Sequence, residues 1–111
     1  MKAKVIRALL TAAIFLAALL MCMTIAKAQT GESTFKTKCA ACHGADGKGA
    51  TAVGKSLKIR DLSSADVQKQ TDDQLTAIIA NGKGSMPAYK SSLSGDQIKQ
   101  LVGYIRQLAK A

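Results

Sequence analysis

One short pattern constrains this chain more than any other: two cysteines separated by two residues and followed directly by a histidine, at Cys39, Cys42 and His43. Positions three and four apart share one face of a helix. On a helix, both thiols therefore reach one edge of a planar group, and the imidazole reaches its centre. This spacing is typical of the attachment of a c-type haem, with Cys39 and Cys42 forming thioethers and His43 ligating the iron.

Two other kinds of site contain a Cys-x-x-Cys pair: a redox dithiol and one half of a zinc site. Zinc would need two more ligands, but His43 is the only histidine and Cys22 the only other cysteine. A thioredoxin-like pair would open a helix within alternating strands and helices, and the chain shows no such alternation. The spacing favours haem attachment, with dithiol chemistry as the alternative.

The first 28 residues read as a targeting segment. Three basic residues lie within the first seven, and the run that follows to Ala26 is apolar except for two threonines. Small residues at Ala26 and Ala28 predict cleavage of a secretory signal after Ala28. The run is nearly long enough to span a bilayer, so a retained membrane anchor is the alternative. Met21 is too large to precede Cys22 in a lipoprotein signal.

Residues 29–111 then form one small domain with little material for a core. It contains one phenylalanine, two tyrosines and no tryptophan. A chain of this size with so few aromatic residues hardly builds a sufficient core alone, and a buried haem would supply the missing apolar centre. Export fits the cysteines, because thioether formation would consume two thiols that an oxidising compartment would otherwise pair.

The hydrophobic pattern predicts an all-α domain. A first helix is expected from about Glu32 to Cys42, followed by a glycine-rich loop over residues 44–58. A short helix over residues 61–70 is expected to be capped by Ser63, with Asp66 as its capping-box partner. Capping boxes over residues 71–74 and 94–97 predict two further helices, which end near Asn81 and Lys110.

The last of these helices has the clearest apolar stripe, formed by Ile98, Leu101, Val102, Ile105 and Leu108. Gly103 lies inside the same helix, where glycine costs about 1 kcal/mol relative to alanine. We therefore expect another helix, the first one, to approach closely at Gly103. The alternative is that an exposed face simply tolerates the glycine.

Met86 is the second candidate iron ligand. It is the only methionine after residue 28, and it lies in a glycine-rich loop immediately before Pro87, the only proline of the chain. Most methionines are core filler, but this one is placed in a loop and not on a helix face. Thioether sulfur is a soft ligand that pairs with histidine on haem iron. We therefore expect His43 and Met86 to be the two axial ligands.

Together these motifs resemble the class I cytochromes c, and in particular the small bacterial single-haem type. The resemblance extends from Gly31 to Ala109. It implies three to five helices wrapped around one covalently bound haem, with one haem edge exposed. It also implies a crossing of the first and last helices, where Gly31 and Phe35 meet Leu101 and Tyr104.

The chain departs from this family pattern in two ways. Many members have a proline whose carbonyl accepts the N–H of the ligand histidine, but no proline precedes Pro87 here. A backbone carbonyl between Leu57 and Arg60 is expected to take that role. Some members place a tryptophan against a haem propionate, and Arg60 or Lys58 is the candidate replacement in this chain.

The resemblance implies an electron-transfer protein, not an enzyme. With both axial positions filled, the iron has no site for a substrate and can only gain or lose an electron. We expect a monomeric one-electron carrier, periplasmic or otherwise extracytoplasmic, with redox protein partners and contact with a membrane only if the leader is retained. The alternatives are a haem c subunit of a larger membrane oxidoreductase, and a haem enzyme or sensor with a labile methionine ligand.

The positive charge narrows the class of partner. The leader holds four of the 16 basic residues and none of the 7 acidic ones, so residues 29–111 carry a formal net charge of +5. No basic stripe interleaves with aromatic residues, which argues against a nucleic-acid partner. The lysines are either an ordinary solvated surface or a ring around the haem edge that steers docking to acidic partner surfaces. The candidates for that ring are Lys36, Lys38, Lys48, Lys55, Lys83 and Lys90.

Overall fold

The computed structural model describes residues 1–23 and 30–111 in full and residues 24–29 as helical backbone alone. In this part of the chain the secondary structure is helical, apart from one isolated antiparallel bridge between Lys83 and Met86. The prediction of an all-α fold is therefore confirmed. The helical segments are α1 (Lys2–Lys38), α2 (Ala40–His43), α3 (Ala52–Ser56), α4 (Ala65–Gln68), α5 (Asp72–Asn81) and α6 (Gly95–Leu108).

Helix α1 joins the apolar leader to the first helix of the domain without interruption. Residues 1–23 are exposed, and Lys2–Met23 is long and apolar enough to cross a membrane, a property that signal sequences share. The sequence pattern predicted that this helix would extend to Cys42, but it ends at Lys38. The helix is interrupted at Cys39, and α2 begins at the next residue. The predicted cleavage position after Ala28 falls within residues 24–29, outside the fully described residues.

Two of the three capping boxes that the sequence predicts are formed, those at the starts of α5 and α6. The Thr71 side chain accepts the Gln74 N–H at the start of α5, and the Ser94 side chain accepts the Gln97 N–H at the start of α6. In each box the glutamine side chain accepts the N–H of the capping residue in return. An N-cap of this kind contributes about 1 kcal/mol, so the sequence itself fixes where these two helices begin.

The core lies where α1 crosses α6. Phe35 and Leu101 are each only 1% exposed, the lowest exposure of the large side chains in the described part of the chain. The Phe35 and Tyr104 rings are 5.1 Å apart between centroids and inclined at 54°, a tilted aromatic pair. Full burial of side chains of this size contributes about 1.5–3 kcal/mol each. The crossing thus anchors the segment that leads into Cys39.

The glycine at the crossing is Gly31 and not Gly103. A Cβ built on Gly31 would collide with the carbonyl of Gln100, whereas one built on Gly103 would have no atom within 4 Å. Gly103 is exposed, so the expectation of a close helix approach there is wrong and the alternative of tolerance on an open face is correct. The contact of Gly31 with α6 agrees with the crossing that the family resemblance implies.

The stretch between α2 and α5 is more ordered than the sequence pattern indicated. The supposed loop over residues 44–58 contains α3, which is capped by the side chain of Thr51. Ser63 does not cap α4, because both its N–H and its hydroxyl donate to the Asp61 carboxylate. Helix α4 therefore begins after Ser64 and is a single turn.

Arg106 ties α6 to the connection between α4 and α5. Its guanidinium donates to the backbone carbonyls of Gln68 and Gln70 and to the carboxylate of Asp72, the last at 2.9 Å. The Gln68 side-chain amide in turn donates to the carbonyls of Leu62 and Ile105. These hydrogen bonds hold the segment over residues 62–72 against α6.

Candidate haem site

One cavity of about 410 Å³ brings together all the sequence-predicted site residues. Cys39, Cys42 and His43 line it from the end of α1 and from α2, and Met86 lines it from the loop between α5 and α6. The remaining wall is largely apolar. Its apolar members are Phe35, Leu57, Ile59, Leu62, Val67, Leu75, Ile78, Ile79, Leu101 and Ile105.

The turn that carries the two cysteines and the histidine is fixed by backbone hydrogen bonds. The amides of His43 and Cys42 both donate to the Cys39 carbonyl, at 2.9 and 3.2 Å. The His43 carbonyl accepts the N–H of Gly49 at 2.7 Å, and the Cys42 carbonyl accepts the Thr51 hydroxyl at 2.8 Å. The turn is therefore held on its outer side by the segment that leads into α3.

Burial sets the protonation states of two of these side chains. Burial raises the pKa of the Cys39 thiol to about 11, because the apolar surroundings disfavour the thiolate. Burial also lowers the pKa of the His43 imidazole from its ordinary value, which favours the neutral ring. The neutral imidazole is the form that ligates a metal, and neither Cys39 nor Cys42 is in a disulfide.

The second ring nitrogen of His43 departs from the prediction. His43 Nδ1 is buried and has no hydrogen-bond partner among the described residues. The expectation that a backbone carbonyl between Leu57 and Arg60 accepts from this ring is therefore wrong. In the same segment, the Ile59 amide donates to the Gly54 carbonyl, and this hydrogen bond holds the segment against α3.

The Met86 loop is closed upon itself. The amides and carbonyls of Lys83 and Met86 pair reciprocally, at 3.0 and 3.1 Å. Gly82 ends α5 with a φ of +75°, a backbone conformation that L side chains rarely adopt, and it packs directly under the Met86 carbonyl. Met86 is half-buried and contacts the hydrophobic core, so its side chain enters the cavity from a constrained backbone.

Exposed cations lie at the rim of the cavity. Lys38, Arg60 and Lys83 line it and are exposed, and no acidic side chain is among the described residues that line it. Of the two candidates for a propionate partner, Arg60 lies at the cavity and Lys58 is not among its lining residues. The lysines of the predicted ring that line the cavity are Lys38 and Lys83.

These residues fit a haem that is attached by its edge. Two cysteine side chains outside any disulfide and one imidazole line an apolar cavity, and a soft thioether in a separate loop lines the same cavity. Soft sulfur and imidazole are ligands suited to iron in a porphyrin. No group of three or more His, Cys, Asp or Glu side chains that could hold a metal ion occurs among the residues that were described.

Comparison with known proteins decides the family. A family model described as cytochrome c oxidase, cbb3-type, subunit III matches residues 26–105. Cytochrome c6 of Leptolyngbya boryana is 40% identical over 85 residues, which cover 77% of this chain and 96% of that protein. This chain belongs to the class I cytochromes c. A second relative, cytochrome c6 of Pyropia tenera, is 37% identical over 75 residues and covers 68% of this chain and 85% of its own length.

A solved structure agrees with this assignment of the cytochrome. The KustC0563 c-type cytochrome superposes with a TM-score of 0.66 at 30% identity, over 70% of this chain and 95% of that one. The cofactor of this cytochrome is therefore covalently bound haem c, and the protein is an electron carrier and not an enzyme. Its partners are accordingly other redox proteins.

Sequence reasoning missed two residues at the site. The Thr51 hydroxyl donates to the Cys42 carbonyl and so joins the attachment turn to α3. The one sequence signal for this role is that threonine is a favoured N-cap residue and here directly precedes a short helix. Tyr89 lines the cavity, and its hydroxyl donates to the Lys38 carbonyl at 3.2 Å. Burial is the main cause that raises the pKa of the Tyr89 phenol. No sequence signal pointed to that hydrogen bond, because it joins residues 51 positions apart.

Proposed function

We propose that Cys39 and Cys42 attach the haem as thioethers, and that His43 and Met86 occupy the two axial positions of its iron. The observation that carries this proposal is that these four side chains, from two separate segments of the chain, line one apolar cavity. The bound haem supplies a reversible change of one electron at its iron. With both axial positions taken, the function is electron transfer between partners and not turnover of a substrate.

Each of these residues has a distinct task. Cys39 and Cys42 would hold the macrocycle by one edge, and the neutral His43 imidazole would offer a nitrogen lone pair to its iron. Met86 would supply a thioether sulfur to the same iron and so keep water and small ligands away from it. Methionine ligation raises the reduction potential, and the apolar wall limits solvent access, which also bears on the potential.

The rim of the cavity supports a docking role toward acidic surfaces. Lys38, Arg60 and Lys83 are exposed there without an acidic side chain among the lining residues that are described. A positive rim attracts a partner that presents carboxylates and speeds the encounter at low salt. We infer that a monomer presents this rim to a redox protein with an acidic docking surface.

The N-terminal helix supports an extracytoplasmic location. Lys2–Met23 is exposed and apolar, with basic residues at its start, as expected of a segment that directs export. We propose that residues 1–28 are removed as a signal peptide and that residues 29–111 form the working periplasmic domain. Retention of the helix as an anchor would instead hold the same domain at the membrane surface.

Replacement of Met86 by alanine tests the ligand set. The ferric holoprotein should lose the weak far-red absorption band of an iron–thioether bond, and the ferrous form should gain rapid binding of carbon monoxide. The reduction potential should fall by at least about 120 mV, because methionine ligation raises it. At about 59 mV for each tenfold change in a one-electron equilibrium, this fall corresponds to a shift of about a hundredfold. Pro87→Ala is the matched control, since it alters the same loop and retains the thioether.

Two outcomes would count against this assignment. If the Met86→Ala protein keeps its ferric spectrum, its potential and its indifference to carbon monoxide, then Met86 is loop packing and the iron has another ligand. If the unaltered holoprotein already binds carbon monoxide rapidly, the sixth position is open, and the alternative of a haem enzyme or sensor replaces the carrier.

A further inference from the structure

The helix break at Cys39 leaves one carbonyl without its usual partner. In an unbroken helix the Cys42 amide would donate to the Lys38 carbonyl, four residues earlier. Here the Cys42 amide donates to the Cys39 carbonyl instead, at 3.2 Å. The Lys38 carbonyl is therefore available immediately before the first attachment cysteine.

Tyr89 fills this position from the far side of the cavity. Its hydroxyl donates to the Lys38 carbonyl at 3.2 Å, and its ring lines the cavity together with Met86. This hydrogen bond is a direct polar link between the Met86 loop and the end of α1. An exposed carbonyl at a helix terminus takes its donor from a side chain or from water, and here the Tyr89 hydroxyl is that donor.

The backbone of Tyr89 is anchored to a different helix. Its amide donates to the Ile79 carbonyl, and the next amide, of Lys90, donates to the Ala80 carbonyl, both at 3.1 Å. Tyr89 therefore connects α5 through its backbone to α1 through its side chain. Met86 lies three residues earlier, in the segment between this anchor and the Gly82 turn that ends α5.

We propose that the Tyr89 hydroxyl is a positioning group that holds the Met86 loop against the end of the helix that carries Cys39. This inference rests on the proposed function in one respect, the ligation of iron by Met86. Without the hydroxyl, the loop opens more often while the fold stays intact. The iron then spends more time without its sixth ligand.

The test compares Tyr89→Phe with the unaltered holoprotein. This substitution keeps the ring and removes the hydroxyl. Binding of carbon monoxide to the ferrous form, which requires departure of the methionine, should become about fivefold faster, the effect expected from one neutral hydrogen bond. The ferric far-red band should disappear at a lower temperature than in the unaltered protein.

Tyr104→Phe is the matched control. Tyr104 is the buried tyrosine of the core, but the described residues give its hydroxyl no hydrogen-bond partner, and its ring packs on Phe35. Its carbon monoxide kinetics should match those of the unaltered protein. An effect of removing any tyrosine hydroxyl would change both variants, whereas loss of the hydrogen bond to the Lys38 carbonyl changes Tyr89→Phe alone.

A second measurement separates failure of this inference from failure of the proposed function. Hydrogen exchange of the backbone amides over residues 83–89 reports loop opening whether or not Met86 binds iron. Faster exchange in Tyr89→Phe alone supports the link between Tyr89 and the Lys38 carbonyl. If the unaltered protein lacks the far-red band, that result refutes the assignment of Met86 as a ligand and leaves the link standing. Equal exchange and equal carbon monoxide kinetics in both tyrosine variants and the unaltered protein would overturn the inference.

Discussion

Gly31 and Gln100 meet backbone to backbone where α1 crosses α6. A Cβ built on Gly31 would collide with the Gln100 carbonyl and lie 3.3 Å from the Cβ of Tyr104. The absence of a side chain at position 31 therefore sets how closely the two helices approach. One turn further along α1, this approach buries Phe35, which also lines the haem cavity.

Alanine substitutions at two glycines should have opposite effects on stability. Gly31→Ala should lower the free energy of unfolding of the holoprotein by about 1–3 kcal/mol, because the helices must separate to admit the methyl group. Gly103→Ala should raise it by about 0.5–1 kcal/mol, because that position is helical with open space around it. Denaturant titration measures both. Equal stability of the two variants would show that Gly31 does not set the crossing.

Substitution of the cysteines should remove the covalent bonds one at a time. Cys39→Ala and Cys42→Ala should each leave one thioether, and the double variant should carry no covalent haem, since these are the only cysteines after residue 28. Denaturing gels stained for haem, together with intact mass, give the answer. Cys22→Ala is the control and should retain the full covalent complement. Covalent haem on the double variant would disprove the attachment assignment.

The exported protein should begin at Gln29. Small residues at Ala26 and Ala28 flank the expected cleavage position, and intact mass of the exported protein reports where the chain starts. Ala28→Phe should block cleavage and move the protein to the membrane fraction, because Lys2–Met23 can span a bilayer. Recovery of the unaltered chain only at full length and only from membranes would establish an anchor instead.

Electron transfer at the exposed rim should depend on salt. The rate of oxidation by hexacyanoferrate, an anionic probe, should fall as ionic strength rises, because screening weakens its attraction to Lys38, Arg60 and Lys83. Lys83→Glu should reduce both the rate at low salt and its salt dependence. Lys99→Glu makes the same charge change on α6, away from the cavity lining, and should have a smaller effect. A rate that is flat or rises with salt would rule out steering by this rim.

Much of the site could be predicted from the sequence because its determinants are local. The spacing of Cys39, Cys42 and His43 places three groups within one turn regardless of the rest of the fold. Met86 was identifiable as the candidate for the second iron ligand because it is the only methionine after residue 28 and precedes the only proline. The starts of α5 and α6 followed from their capping boxes, whose hydrogen bonds join residues three apart. Each of these features needs only the physical chemistry of neighbouring residues.

Tertiary structure alone decided the contacts between residues far apart in the chain. A glycine pattern could not tell which of Gly31 and Gly103 meets another helix, because the answer depends on how α6 is rotated against α1. The unpartnered His43 Nδ1 and the hydrogen bond from Tyr89 to the Lys38 carbonyl likewise arise from packing between separate segments. Local sequence determined which groups are proposed to hold the haem, and long-range packing decided which atoms support them.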